Sequence, residues 1–356
     1  MRFAQRRSAR LLALLLTMTL FAAACGDDGD DDAAPGTDAA PGTDAGSGEL
    51  SGNIVISGSS TVEPISIDVA GKFGEIAPGV AVAVSGPGTG DGFQAFCNGD
   101  TDISDASRAI KPEEMEACEA NGVAFVEMKV AIDGIAVLTS PDGEGVAECL
   151  SFADMYALVG PESQGFEQWS QANELAAELE GTVGAPFPEV PLVVTAPGEE
   201  SGTYDSFVEI VLEDIADERG QEPQTRPDYQ ASADDNVIIQ GIQGAPSSFG
   251  WVGYAFFEGN QDTVKAFEVA GEDGTCVAPT AETIADGSYP IARPLFIYAS
   301  VEKLEEKPAL VEFVDFYLSE EGITSATEVG YVGLPDEEIE ATREAFESRE
   351  TGTREG

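Results

Sequence analysis

The sequence predicts an α/β protein built as two lobes. The chain has 356 residues, more than one compact core usually holds. Residues 53–139 alternate short apolar runs with stretches of helical period, the signature of an α/β layer. A second alternating set then occupies the chain from residue 151 onward.

Taken in order, "NIVIS" (53–57) reads as a buried strand. Val62, Ile65, Val69, Phe73 and Ile76 step by three or four, the apolar face of a helix ended by Pro78-Gly79. "VAVAVSG" (80–86) is the next strand, followed by a glycine-rich turn and a short helix around "GFQAFC". "TDIS" is a short strand, with Asp105 and Arg108 in the loop after it. "KPEEMEACEANG" is a helix with proline in its first turn and Asn-Gly at its end. The long apolar stretch "VAFVEMKVAIDGIAVLTS" is expected to break at Asp133-Gly134. In the second set "SFADMYALVG" and "WSQANELAAELEG" read as helices, "PLVVTA" as a strand, and "SGTYDSFVEIVLEDIADERG" as a helix opened by hydroxyls. "DDNVIIQGIQG" is helical and "FGWVGYAFFE" a strand. "RPLFIYAS" (293–300) is one more buried strand, and "PALVEFVDFYLSEEG" and "DEEIEATREAFESRE" are closing helices.

Seventeen basic residues stand against 66 acidic ones, a formal net charge of -49. A nucleic-acid binder needs a basic stripe, and none is visible, so no nucleic-acid partner is expected. The acidity reads as a solvated coat. There is no histidine, which removes Ser-His-Asp and Cys-His catalysis and His-ligated zinc. No P-loop pattern occurs. No cofactor or metal is expected, and binding is favoured over catalysis.

The N-terminus has the form of an export signal: four arginines in "MRFAQRRSAR", an apolar "LLALLLTMTLFAAA", then small residues running into Cys25. The apolar core falls short of the ~20 residues of a membrane span. The pattern is that of a lipoprotein: residues 1–24 are the signal, Cys25 the lipidated residue, and the Gly/Ala/Asp/Pro-rich stretch 25–50 an acidic flexible tether. Four further cysteines suggest two disulfides in an oxidising compartment. Three pairings are possible. Cys97–Cys118 with Cys149–Cys276 is preferred, because the first closes a short loop–helix unit.

Three strand-to-helix turns share one chemistry: "GSST" (58–61), "SGPGTGDG" (85–92), and the turn "APGEESGTY" (196–204). Helix N-termini carry unpaired N–H groups and the positive end of a dipole, and glycine allows close approach. Serine and threonine add neutral donors. Any one of these turns is an ordinary cap. Three of them converging at the C-terminal ends of strands would make an anion site. "TDISDASRAI" (101–110) adds Asp105 and Arg108. A carboxylate suits phosphate, which near neutral pH keeps a proton to donate; sulfate has none and would meet an unpaired charge.

The ordered set "SGSSTVEP", "GPGTGDGFQAFCNGDTDISDASRAI", "SGTYDSF" and "DDNVIIQGIQGAPSSFGWVGYAFF" resembles the phosphate-binding proteins of ABC transporters, the PstS family, over roughly residues 51–335. The resemblance implies a type II periplasmic-binding-protein fold: two α/β lobes joined by two crossover strands, near 130–139 and 290–298, with the ligand in the cleft. Lobe one would be 51–132 plus 292–350, and lobe two 133–291. By resemblance Ser59, Ser60, Thr61, Thr89 and Gly90 supply donors from lobe one with Asp105 as proton acceptor, and Ser201, Gly202 and Thr203 supply donors from lobe two. It further implies inorganic phosphate as ligand, the permease of an ABC importer as partner, a lipid anchor outside the cytoplasmic membrane, and a monomer. Well-known members place an arginine four residues before the SGT serine, where this chain has Pro197. Arg108 is the substitute expected to balance Asp105, with Arg226 in reserve. The rival readings are the same fold tuned to sulfate or molybdate, and a secreted phosphatase-like or adhesion protein.

Overall fold

The computed structural model describes residues 50–143, 146–199 and 201–354. The expected signal, Cys25 and the tether as far as residue 49 lie outside the described residues.

Alternation builds the first strand. In β1 (Gly52–Gly58) Ile54 and Ile56 are buried while Asn53 and Val55 are exposed. β1 lies between two parallel neighbours, β2 (Val80–Ser85) and β3 (Ile103–Ala106). Helix α1 (Glu63–Ile76) returns the chain from β1 to β2 and buries Ile65, Val69 and Phe73. Helix α2 (Thr89–Cys97) leads from β2 to β3. The strand read as "TDIS" is displaced: β3 runs through Asp105, which pairs in register with Gly58. Asp105 is therefore a strand residue and not a loop residue.

After α3 (Pro112–Ala120) comes β4 (Phe125–Thr139), fifteen residues long and buried almost throughout. Asp133-Gly134 does not break it. Gly134 stays in register with Ala292, and a Cβ there would come within 2.8 Å of Ile284, so the glycine makes room for packing rather than ending the strand. Short strands follow: β5 (Cys149–Leu150), β6 (Val193–Ala196), β7 (Gln230–Ala231), β8 (Ser248–Gly253), β9 (Lys265–Ala266), β10 (Glu268–Ala270) and β11 (Cys276–Val277), of which β6 and β8 fall in the expected "PLVVTA" and "FGWVGYAFFE" and the others were not read from the sequence. β12 (Ala292–Ser300) completes the main sheet, whose order is β2-β1-β3-β12-β4-β8-β6-β7 with β9 also on β4. β12 is antiparallel to both β3 and β4.

Three of the expected elements differ in extent. "FGWVGYAFFE" is a strand only to Gly253; Tyr254–Glu258 is helical. "WSQANELAAELEG" is a 3-10 turn, Trp169–Ala172, and one helical turn, Asn173–Ala176. "PALVEFVDFYLSEEG" divides into Pro308–Tyr317 and Glu320–Glu328, because Ser319 caps a new helix by accepting from the Gly322 N–H.

Apolar burial collects into separate clusters. One unites Ile54, Ile56, Phe73, Val126, Met128, Leu295, Ile297 and Phe313. Another unites Ile135, Val137, Leu158, Trp169, Phe207 and Trp251. β4 feeds both, with its first half in one and its second half in the other. Both expected disulfides form. Cys97–Cys118 ties α2 to α3, and Cys149–Cys276 ties β5 to β11 in a three-stranded sheet ordered β11-β10-β5. Among the described residues no helix is long and apolar enough to cross a membrane.

Gly92 shows how tightly the first turns are set. A Cβ on it would lie 2.4 Å from the Gly58 Cα, so α2 can sit against β1 only with glycine there. Alanine normally favours a helix interior over glycine by up to about 1 kcal/mol. Here Gly92→Ala is expected to destabilise by about 1–3 kcal/mol instead, through overpacking against backbone. Chemical denaturation of the variant checks the sign.

Candidate functional site

The turn after β1 is pinned by the strand beside it. The Ser59 N–H donates to the Asp105 carbonyl at 2.8 Å, and the Thr61 N–H to Ser59 Oγ at 3.1 Å. A Cβ on Gly58 would collide with the Asp105 carbonyl oxygen at 2.0 Å, so glycine is required where β1 and β3 close on one another. The turn before α2 joins the same place. The Gly88 N–H donates to the Gly58 carbonyl, and Thr89 Oγ1 accepts from the Ser107 N–H at 3.2 Å and shares a hydrogen bond with Ser107 Oγ at 3.0 Å. Gly90 follows in the first turn of α2. Ser59, Thr61, Thr89 and Asp105 are all buried.

The third turn arrives from the other core. Ser201 caps helix α4 (Gly202–Phe207), its hydroxyl accepting from the Thr203 N–H at 3.2 Å. Gly202 lies against the GSST backbone, with room for a Cβ only at ordinary contact distance from the Ser60 carbonyl and Thr61. Side chains one turn further along α4 clasp the first loop. Ser60 Oγ donates to Asp205 at 3.0 Å, and Thr61 Oγ1 pairs with Ser206 Oγ at 3.2 Å. The structure thus brings the GSST turn, Thr89, Asp105 and the SGT turn together at the C-terminal ends of parallel strands.

Asp105 is fully buried and held by one oxygen. Ser66 Oγ donates to Oδ1 at 3.1 Å and itself bonds the Tyr317 hydroxyl at 3.2 Å. Oδ2 is buried and accepts from no protein group among the described residues. Burial pushes this carboxyl up to about 7; the Ser66 hydrogen bond works against that, and the charge of Glu63 adds to it. An acceptor held in that state is suited to a ligand that brings its own proton.

The expected arginines lie elsewhere. Arg108 does not balance Asp105: its guanidinium is gripped at both ends by Glu114 at 2.9 and 2.8 Å and lies over the Phe93 ring. The Lys111 N–H also donates to Glu114, so the first turn of α3 has claimed the charge that Arg108 was to offer. Arg226 is buried against Asp228 at 2.7 and 2.9 Å. The guanidinium that reaches the hydroxyl cluster belongs to Arg293, on β12. Its Nη2 donates to Ser206 Oγ at 2.7 Å and to Thr61 Oγ1 at 3.3 Å, its Nη1 meets Glu209, and its Nε stands 3.6 Å from Asp133 on the paired strand. Burial raises the carboxyl of Asp133, with Arg293 opposing that rise, and burial likewise raises Asp205, with Ser60 opposing. Sequence reading missed Arg293, Asp205 and Ser206. The last two carried a signal, because four residues on from Ser201 and Gly202 is the same helix face; Arg293 carried none.

Residues 43–321 match the model of the PBP superfamily domain. The protein SphX of Synechococcus elongatus is 38% identical over 297 residues, 83% of this chain and 81% of its own length. The phosphate-binding protein PstS of Staphylococcus saprophyticus is 33% identical over 319 residues, 89% of this chain and 87% of its own. The crystal structure of a possible phosphate binding protein from Planctomyces limnophilus superposes with a TM-score of 0.75 at 35% identity, covering 84% of this chain and 99% of that one. The fold is that of the periplasmic binding proteins. Within that superfamily the chain belongs to the family of PstS and SphX.

The sign of the pH dependence follows from the buried acid. A carboxyl raised to about 7 in the folded state, against about 4 unfolded, costs stability progressively as pH rises through that window. Without added anion, Asp105→Asn is expected to match the parent near pH 4. Above pH 7 it should be the more stable protein, by at most on the order of 4 kcal/mol. Calorimetric melting of both proteins across that range is the check.

Proposed function

We propose that this protein binds inorganic phosphate outside the cytoplasmic membrane and delivers it to the permease of an ABC importer. The observation that carries the reading is Asp105, a buried carboxylate with one oxygen accepting nothing among the described residues, set among hydroxyl turns from two cores. Ser59, Ser60, Thr61, Thr89 and Gly90 would serve the anion from one side and Ser201, Gly202 and Thr203 from the other. Arg293, not Arg108, supplies the guanidinium at the hydroxyl cluster. The relatives named for phosphate binding support the choice of ligand.

In this reading the two cores are the lobes of a clamp, 51–132 plus 292–350 and 133–291, and the paired strands β4 and β12 are its hinge. Contacts such as Ser60–Asp205 and Thr61–Ser206 hold it closed. Residues 1–24 direct export, Cys25 carries the lipid, and the acidic stretch 25–50 is the tether from which a monomer works. No catalytic step is assigned.

Discrimination should depend on pH. An ionised Asp105 accepts the proton of phosphate and repels sulfate, whereas a protonated one can donate to either. Calorimetric titration at pH 8.5 is expected to show phosphate binding with sulfate at least about a hundredfold weaker. The gap should narrow at pH 6 and in Asp105→Asn. Equal sulfate binding at pH 8.5 would remove Asp105 as the discriminator. Failure to bind phosphate would overturn the ligand assignment.

A further inference from the structure

Helix α4 does not continue as a regular α-helix. Residues Val208–Leu212 form a π-helical turn before the chain resumes α-helical form at Glu213. Such turns insert a residue into the helical ladder, re-aim the side chains around it, and recur at functional sites. Glu209 lies in this turn. Its carboxylate meets Nη1 of Arg293, the guanidinium whose other terminal nitrogen serves Thr61 and Ser206.

Glu209 is one of two carboxylates set against Arg293. Asp133 already faces it from the paired strand. A second carboxylate leaves the cluster with excess negative charge, and that charge is felt all round it: burial raises the carboxyls of Asp133, Asp205 and Glu213, and Glu209 adds to each rise and acts on Arg108. The Arg293 side chain is 10% exposed and that of Glu209 36%, so the arginine is fixed inside while its second partner sits at the solvent edge. A carboxylate there can swing away; Asp133, at 5%, cannot.

We propose that Glu209 is a built-in competitor for the bound oxyanion. Its carboxylate and the ligand share one guanidinium, that of Arg293, and the affinity of the site is set by this competition. The inference rests on the phosphate reading above and adds to it a residue that weakens binding. It places the affinity control of the site on the π-turn and not on the hydroxyl loops.

The test is titration of the intact protein with inorganic phosphate, comparing the parent with Glu209→Gln, Arg293→Met and the double variant. Glu209→Gln keeps the side-chain shape, removes the charge, and is expected to tighten phosphate by about three- to tenfold. Arg293→Met is expected to weaken it by at least about a hundredfold. In the Arg293→Met background the Glu209→Gln gain should vanish, because the two residues act through one contact. If Arg293→Met fails to fold, Arg293→Lys takes its place; it keeps the charge but loses the forked geometry, and the gain should shrink there. Unchanged or weaker binding in Glu209→Gln overturns the competition while leaving the phosphate reading intact. The same gain in both backgrounds also overturns it, since general repulsion would then suffice. A parent protein that binds no phosphate overturns the phosphate reading itself, and this inference falls with it.

Discussion

The pairing of β4 with β12 is the constraint on which the rest of the molecule depends. Ala292–Ser300 runs antiparallel against Gly134–Phe125, and both strands are buried along most of their length. The first half of β4 packs Val126, Met128 and Val130 into one core, and its second half packs Ile135 and Val137 into the other. The register also sets Arg293 opposite Asp133. A guanidinium this buried is costly without an opposite charge, and the pairing that builds the cores also delivers that charge. Structure and site therefore share one ladder of backbone hydrogen bonds.

Within this frame, a strongly anionic protein arranges a pocket suited to an anion. Of its 66 acidic side chains, most of those among the described residues are exposed or half-buried. At physiological salt, exposed charges more than about 8 Å away are largely screened, so they count for little against direct hydrogen bonds in a desolvated pocket. Nearby, the donors are mostly neutral: hydroxyls and N–H groups at three helix starts. The carboxylates that do approach have distinct roles. Asp105 is buried with one acceptor oxygen unpaired among the described residues, Asp133 faces Arg293 from the paired strand, and Asp205 bonds Ser60 across the two cores.

Much of the candidate site could be read directly because its signals are local. A glycine and two or three hydroxyls between an apolar run and a helical period identify a helix start, and the GSST, GPGTG and SGT turns all appear as such. Local competition also explains one error. Glu114 stands in the first turn of α3, six residues after Arg108, and forms the bidentate pair that the arginine was expected to offer elsewhere. Asp105 was recognised for its chemistry but placed in a loop, because nothing in "TDISDASR" shows that β1 would hold it in strand register with Gly58.

The sequence by itself determined the alternation of strands and helices, the hydroxyl-rich turns and the carboxylate at Asp105, since these depend on neighbours within a few residues or on residue type alone; the cysteine pairing, across 21 and 127 residues, it only narrowed to three choices. Only the tertiary structure decided which cation serves the cluster. Arg293 sits before a proline in an ordinary buried strand, and its contacts with Thr61, Ser206 and Glu209 span 232, 87 and 84 residues. Its role comes from the register of two crossing strands and a π-turn in a distant helix, and such long-range geometry leaves no period in the chain that forms it.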